Sequence, residues 1–205
     1  LGLDYVYLCF DVNEETLPAA VAGLKTCGIR GFNLTMPNKN KIVELLDELS
    51  PEAQLIGAVN TVLNDNGKLI GYNTDGYGFM QSVRDAGHDI TGKNITVMGV
   101  GGASMAICAQ SALDGAASVH IFARRTSRYW NRTQKFAENL SAKTGCQVCL
   151  FDNDDHTALR DSIAQSYLLI NATSVGMVPD IDDTIIKDTS CLLYTSPSPR
   201  DPKTS

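Results

Sequence analysis

From residue 94 to residue 171, short apolar runs alternate with segments of helical periodicity, and this alternation constrains the fold more than any other feature. The predicted strands cover residues 94–98, 118–123, 147–150 and 167–171. The predicted helices cover residues 103–113, 133–143 and 157–165. Strands that alternate with helices of this length predict a parallel sheet covered by helices on both faces.

A glycine-rich turn, Gly99-Val-Gly-Gly-Ala-Ser104, joins the first strand and helix of this region. A dinucleotide fingerprint requires this context, because Gly99 allows a tight turn and Gly101 lets the backbone approach a pyrophosphate. Free N–H groups at the helix start then bind that anion. Ser104 replaces the usual third glycine, and the alternative is a plain tight turn. The predicted cofactor-binding residues of the turn are Gly99, Gly101, Gly102, Ala103 and Ser104.

The second strand of this region ends at Ala123 and is followed by a basic loop, Arg124-Arg-Thr-Ser-Arg128. Proteins that prefer NAD usually carry an acidic residue here, which accepts from the ribose 2′-hydroxyl. Arg124 and Arg128 fit a 2′-phosphate instead, since guanidinium groups form paired hydrogen bonds with it. We therefore predict NADP as the favoured cofactor, with NAD possible. The alternative is a solvated basic loop.

The first part of the chain predicts a smaller α/β unit. Its expected strands cover residues 5–12 and 31–34, and its expected helices cover residues 16–26 and 37–49. A hairpin of residues 59–63 and 68–72 flanks the turn signal Asn64-Asp-Asn-Gly67. The predicted fold class is thus α/β, with an N-terminal α/β substrate domain followed by a Rossmann-type NAD(P)-binding domain with a parallel sheet. The predicted domains are residues 1–85 and 86–191.

Two short segments of the first unit end in charged residues with catalytic potential. Gly31-Phe-Asn-Leu-Thr-Met-Pro-Asn-Lys39 and Gly71-Tyr-Asn-Thr-Asp75-Gly both follow apolar runs. A lysine near an aspartate can hold and pass the proton of a substrate hydroxyl. The alternative is that Lys39 and Asp75 are ordinary solvated loop residues. The three histidines, His88, His120 and His156, offer no rival base.

Composition excludes several classes of protein. A net charge of −6 and a pI near 5.0 argue against a nucleic-acid partner. No apolar run reaches the roughly 18 residues of a membrane span. Cys146-Gln-Val-Cys149 is the only C-x-x-C pair, so we expect no metal site and reduced, mostly buried cysteines in a cytoplasmic protein. We expect a monomer or a homodimer.

Both ends of the sequence have unusual features. The chain opens at Leu1 close to a predicted strand, which suggests truncation at this end. Residues 192–205 are rich in serine and proline and resemble translated adaptor read-through, so we expect a non-native or disordered tail.

Taken together, five ordered segments resemble the shikimate dehydrogenase family, most closely its quinate/shikimate dehydrogenase branch. They are Asn33-Leu-Thr-Met-Pro-Asn-Lys39, Gly57-Ala-Val-Asn-Thr61, Gly71-Tyr-Asn-Thr-Asp75-Gly, Gly99-Val-Gly-Gly-Ala-Ser104 and Asn171-Ala-Thr-Ser-Val-Gly-Met177. The resemblance runs from about Tyr5 to Cys191. It departs from the family at both ends, since the usual Ser-x-Ser segment and the C-terminal segments that complete the sheet are not in this sequence.

The resemblance implies a function and a set of site residues. The reaction would be the reversible NADP-dependent oxidation of shikimate, and possibly quinate, in aromatic amino acid biosynthesis or quinate metabolism. Lys39 and Asp75 would be the catalytic pair, with Thr35, Asn60 and Asp75 around the substrate hydroxyls, in a cleft between the two domains. The loop implied to lie near the nicotinamide contains Thr173, Ser174, Val175 and Met177. The alternatives are a dehydrogenase for an aminated ring and a nucleotide-binding paralogue without catalysis.

Overall fold

The computed structural model describes residue 2, residues 4–187 and residue 192. The predicted tail, apart from residue 192, lies outside the described residues. The chain forms two compact units, one extending to Asp75 and one beginning at Gly76. The domain boundary at residue 85, suggested by the sequence, stays a prediction.

The first unit is a four-stranded sheet with short helices. Its helices are α1 (Leu17–Thr26), α2 (Asn38–Lys41), a 3₁₀ helix (Ile42–Leu45) and α3 (Pro51–Ile56). Its strands are β1 (Gly31–Asn33), β2 (Glu48–Leu49), β3 (Thr61–Asp65) and β4 (Lys68–Tyr72), in the sheet order β1-β3-β4-β2. Only the β2–β4 pair is parallel. The core consists of Leu17, Val21, Ile42, Ala53, Val59, Val62 and Leu69.

The predicted hairpin forms between β3 and β4. Asn66 and Gly67 both have positive φ, 53° and 91°, which is the backbone of a two-residue turn that matches the twist of the flanking strands. Gly67 N–H also donates to Asn64 Oδ1 at 2.8 Å. The second strand of the hairpin, β4, ends at Tyr72, and residues 73–75 follow it directly. The last of them is Asp75, the predicted catalytic aspartate.

Two predictions for the first unit are wrong. Residues 5–12 form no strand, because no strand of the described part of the chain pairs with them, and Tyr5, Val6 and Tyr7 are exposed. The helix expected over residues 37–49 ends at Leu45, and Leu46 is extended, with φ −105° and ψ 147°. Asp47 N–H instead donates to Leu69 O at 3.0 Å, which leads the chain into β2 beside β4.

The second unit is the predicted alternating βα structure, and the α/β fold class with its parallel sheet is confirmed. Its strands are β5 (Asn94–Met98), β6 (Ser118–Ala123), β7 (Gln147–Asp152) and β8 (Leu168–Asn171). Its helices after β5 are α5 (Gly102–Leu113), α6 (Trp130–Thr144) and α7 (His156–Gln165). The sheet order is β7-β6-β5-β8, and all three strand pairs are parallel. Helix α4 (Asp75–Asp85), which the sequence patterns did not indicate, precedes them.

Gly76 allows α4 to pack closely against α5. A Cβ atom at Gly76 would lie 2.3 Å from the backbone oxygen of Ala106, so the two helices would have to separate. We expect Gly76→Ala to lower the free energy of unfolding by about 1–3 kcal/mol, the usual cost of overpacking. Urea denaturation followed by fluorescence measures this change.

Gly78 in the same helix is the matched control for Gly76. A Cβ atom at Gly78 would meet nothing within 4 Å. Gly78→Ala should therefore raise stability slightly, by up to about 1 kcal/mol, because alanine is the better helix former. If the two substitutions changed the free energy of unfolding equally, close packing of α4 against α5 at Gly76 would not contribute to stability.

Candidate active site

Lys39 and Asp75, 36 residues apart in sequence, form an ion pair in the first unit. Lys39 Nζ donates to Asp75 Oδ2 at 2.8 Å. The side chains of Lys39 and Asp75 are 24% and 40% exposed, so the pair is open to a ligand. A cation and a carboxylate in contact at a solvent-accessible position can exchange a proton with a bound hydroxyl group.

The backbone of Lys39 is held firmly by the core beneath it. Ile42, three residues further on, is fully buried in the core of the unit. Val59 N–H donates to Lys39 O at 2.8 Å, and the buried Asn38 side chain donates to Val12 O at 2.6 Å. The first of these bonds attaches helix α2 to the segment that contains Asn60, and the second attaches it to the residues before α1.

Asp75, which follows β4, is oriented by hydrogen bonds to Asn60 and Asn73. Its second carboxylate oxygen, Oδ1, accepts from Asn60 Nδ2 at 2.7 Å. Its backbone N–H donates to Asn73 Oδ1 at 3.2 Å, and Asn73 is itself buried and donates to Ala58 O at 3.1 Å. The structure therefore brings Lys39, Asn60 and Asp75 into one hydrogen-bonded group.

Thr35, the fourth predicted residue of this site, lies in the turn before α2. Its carbonyl accepts from Asn38 N–H at 3.0 Å, and its exposed hydroxyl has no hydrogen-bond partner within the described residues. A free hydroxyl can both donate to and accept from a polyol. Thr35 also lines a cavity of about 540 Å³ between α1, β1 and residues 6–13.

The glycine turn of the second unit has the shape that a bound pyrophosphate requires. Gly99 has φ 111°, and a Cβ atom there would lie 2.9 Å from Ala172 O. Gly101 and Gly102 face open space, and no side chain caps the amino end of α5. Its first N–H groups are therefore available to an anion. Ala103 is the second residue of α5, next to these glycines, so these residues fit a dinucleotide.

Ser104 has a structural role in the turn. Its side chain is fully buried, and its hydroxyl donates to Gly99 O at 2.6 Å. Ser104 thus holds the turn from inside. This contact explains how the turn keeps its shape without the third glycine of the usual motif.

The loop that follows β8 lies beside the glycine turn. Asn171 binds both ends of this loop, since its Oδ1 accepts from Thr173 N–H at 3.0 Å and its Nδ2 donates to Val175 O at 3.0 Å. Met177 N–H donates to Ser174 O at 3.1 Å. Strands β8 and β5 are neighbours, so the loop and the turn share one edge of the sheet.

The basic loop follows β6, the other neighbour of β5. Arg128 lies over the Tyr129 ring at 4.7 Å, and Arg125 lies over the Trp130 ring at 5.3 Å. Arg124 is exposed, and its guanidinium group has no partner within the described residues, so it is free to bind an anion. Arg125 was not among the residues predicted from the sequence, where its only signal is its place in the Arg-Arg pair. Asn153, after β7, was also missed; its buried Oδ1 is unpaired in the described part of the chain.

Among the described residues, Cys108 and Cys146 are buried, whereas Cys9 and Cys27 are exposed. Cys108 Sγ lies 4.0 Å from the hydroxyl of Ser104. Burial raises the pKa of Cys108 to about 12 and that of Cys146 to about 11, so both thiols stay protonated. Within residues 4–187, no group of three or more histidine, cysteine, aspartate or glutamate side chains is placed to hold a metal ion. Across the same residues, no helix is long and apolar enough to cross a membrane.

His120 lies in β6 and is partly buried in the second unit. Its burial makes the free energy of unfolding depend on pH. Its Nδ1 lies 2.9 Å from Ser162 Oγ and its ring contacts Phe151 edge-on; burial lowers the pKa of His120. The unfolded chain, with a histidine pKa of about 6.5, takes up the proton first as pH falls. We therefore expect the free energy of unfolding to decrease below about pH 6.5.

The substitution His120→Gln should flatten that decrease. Urea denaturation at a series of pH values, followed by fluorescence of the single tryptophan, Trp130, gives the slope for the second unit. An unchanged slope in the variant would show that other groups cause the pH dependence.

The fold and site define a class of protein: an α/β chain with a dinucleotide-type turn in one unit and a lysine–carboxylate pair in the other. Residues 1–62 match the family described as shikimate dehydrogenase substrate binding domain. The chain is 48% identical over 192 residues to a shikimate dehydrogenase (NADP(+)) of Listeria innocua. That alignment covers 94% of this chain and 66% of the relative, just under two thirds of its length.

Solved structures show the same likeness. The shikimate 5-dehydrogenase of Listeria monocytogenes, in complex with shikimate and NAD, matches with a TM-score of 0.91 and 47% identity, over 93% of this chain and 66% of that one. The quinate dehydrogenase of Corynebacterium glutamicum, in complex with NAD, matches with a TM-score of 0.73 and 30% identity, over 86% and 60%. Over 94% of its length, the chain is thus similar to members of the shikimate dehydrogenase family.

Proposed function

We propose that the protein carrying this chain catalyses the reversible NADP-dependent oxidation of shikimate, and of quinate, to the 3-dehydro ketone. The observation that carries the proposal is the Lys39–Asp75 contact of 2.8 Å, with Asn60 on the second carboxylate oxygen. The names of the relatives support the substrate class and the cofactor.

Lys39 acts on the proton of the substrate hydroxyl in this mechanism. As an ammonium group paired with Asp75, it supplies a proton to the oxygen of the ketone when the ketone is reduced. In the oxidation direction, its free amine takes the proton from the hydroxyl. Asp75 keeps one oxygen on Lys39 and orients the hydroxyl, while Thr35 and Asn60 bind the neighbouring hydroxyls.

The cofactor residues belong to the second unit. NADP, when bound, supplies the acceptor for the hydride that leaves the ring carbon. The glycine turn would hold the pyrophosphate on the N–H groups of α5, and Arg124 and Arg128 would hold the 2′-phosphate. Thr173, Ser174, Val175 and Met177 would border the nicotinamide. That the two sites meet in a cleft, that the protein is cytoplasmic, and that it is a monomer or homodimer stay predictions.

The test is an assay with four pairings: shikimate or quinate, each with NADP or NAD. A chain that carries this sequence at the full length of its relatives is mixed with each pair, and reduced cofactor is followed by absorbance. We expect the fastest reduction with shikimate and NADP. Tight NADP binding without turnover of either substrate would instead identify a nucleotide-binding paralogue.

A further inference from the structure

Asn60 is the residue on which the orientation of Asp75 depends, and it is 9% exposed. Its Nδ2 donates to Asp75 Oδ1 at 2.7 Å, and its Oδ1 accepts from Thr74 N–H at 3.0 Å. A backbone N–H can only donate, so Thr74 fixes which end of the amide is the acceptor. If the amide turned over, its oxygen would face the carboxylate and repel it.

The oxygen of Asn60 also accepts from two hydroxyl groups, that of Thr61 at 3.0 Å and, at the longer distance of 3.3 Å, that of Thr74. A threonine hydroxyl has one proton and can also act as an acceptor, so its direction depends on its other partner. That partner is Asn33 Nδ2, at 3.1 Å from Thr61 Oγ1. An amide nitrogen only donates, so the hydroxyl oxygen of Thr61 accepts from Asn33. The hydroxyl proton of Thr61 is therefore donated to Asn60 Oδ1.

The register of the sheet places these residues together. Asn33 and Thr61 lie directly opposite each other in the antiparallel β1–β3 pair. Side chains of directly opposed residues share one face of a sheet, so their contact follows from the strand pairing. The donors therefore run in one direction, from Asn33 to Thr61 to Asn60 to Asp75, whose other oxygen accepts from Lys39.

We propose that Thr61 and Asn33 are positioning residues that lock the Asn60 amide toward Asp75 and thereby aim the carboxylate at Lys39. This inference rests on the proposed dehydrogenase function. Neither residue touches the reacting atoms, and both act through Asn60.

The first test compares Thr61→Val with Thr61→Ser in a chain of the relatives' full length. Valine keeps the shape of threonine but cannot donate, so kcat should fall about threefold to tenfold, the effect of one net hydrogen bond. Serine keeps the hydroxyl and should restore most of the rate. The NADP affinity, read from Trp130 fluorescence, should be the same in all three proteins.

The second test reverses the donor direction at Asn33. In Asn33→Asp a carboxylate replaces the amide, so Thr61 turns its proton toward residue 33 and away from Asn60. Asn33 is exposed, so this nearly isosteric change should leave the thermal midpoint unchanged. We expect a loss in kcat similar to that of Thr61→Val.

A double-mutant cycle separates this effect from the added charge. In the Thr61→Val background there is no hydroxyl to reverse, so Asn33→Asp should cause no further loss. If the losses multiply, the added charge is responsible, and the positioning role is overturned. Full activity of Thr61→Val, or equal losses for valine and serine, would overturn it as well.

Other outcomes are also decisive. If Thr61→Val does not fold, the single Asn33→Asp variant still decides, because unchanged turnover would overturn the proposal. If the unaltered protein has no turnover, the proposed function fails and the positioning roles fail with it. If the unaltered protein and every variant turn over substrate at the normal rate, the positioning roles are overturned but the proposed function is not.

Discussion

Replacing Lys39 with alanine should lower kcat by about 10²- to 10⁴-fold, the range expected when a positioned acid–base group is removed. We expect this loss because in the proposed mechanism Lys39 Nζ, 2.8 Å from Asp75 Oδ2, exchanges a proton with the substrate oxygen. NADP affinity should not change, since the predicted cofactor residues all belong to the second unit. Steady-state kinetics in a chain of the relatives' full length, with fluorescence titration of NADP, measures both quantities.

Lys25→Ala is the matched control for this substitution. Lys25 also forms an ion pair in the first unit, with Asp47 at 3.2 Å, and both side chains are largely exposed. Exposed pairs contribute little to stability, so Lys25→Ala should keep normal turnover. A Lys39→Ala variant with near-normal kcat and only a raised KM would make Lys39 a binding residue and end the proposed mechanism.

Replacing Arg124 with alanine should weaken NADP binding by about 1–3 kcal/mol, the contribution of a hydrogen bond to a charged group. NAD binding should barely change, because NAD lacks the 2′-phosphate. Arg124 is well suited to this role, since Arg125 and Arg128 already lie against aromatic rings, while the side chain of Arg124 is unpartnered in the described part of the chain. Quenching of Trp130, at the start of α6, reports binding of both cofactors.

Arg132→Ala controls for the loss of a positive charge near this loop. Arg132 is exposed on α6, and its guanidinium group has no partner among the described residues. We expect it to change NADP affinity much less than Arg124→Ala does. Equal losses of NADP and NAD affinity in Arg124→Ala would refute a role in binding the 2′-phosphate.

The second unit could be predicted from the sequence because its strands are short, apolar and separated by helices. The predicted strands at residues 94–98 and 118–123 agree with β5 and β6 residue for residue. In a parallel sheet each strand is buried on both faces, so its sequence is a continuous apolar run. The burial of the strand in the fold can therefore be recognised from the strand's own sequence. Local signals of this kind need no knowledge of distant partners.

The errors in the first unit arose where distant contacts decide the structure. Leu46 and Leu49 fit a helical period with Ile42, but they pack over Gly71 of β4 instead of continuing the helix. A Cβ atom at Gly71 would lie 2.5 Å from Leu46 Cδ1, so this contact needs a glycine 25 positions away in sequence. Helix α3 was missed although Ser50-Pro51 is a typical helix start, with Ser50 Oγ accepting from Ala53 N–H.

The residues of the candidate site were proposed from the sequence, but the hydrogen bonds between them were not. The motifs indicated Lys39, Asn60 and Asp75, yet spacing cannot show that Asn60 binds one oxygen of Asp75 and Lys39 the other. The proposed positioning role of Thr61 depends on strand register, because the pairing of β1 with β3 places Thr61 opposite Asn33. Since register is set by the turn and by both faces of the sheet, a single sequence motif does not contain it.

The most direct measurement of the central claim follows the hydrogen that leaves the ring. Shikimate carrying deuterium on the carbon that becomes the ketone is incubated with NADP and a chain carrying this sequence at its relatives' full length. Mass spectrometry of the reduced cofactor then gives its deuterium content. Direct hydride transfer assisted by Lys39 and Asp75 predicts that the reduced cofactor contains the deuterium, and that Lys39→Ala slows its appearance. Unlabelled reduced cofactor, with the deuterium released to water, would contradict this account.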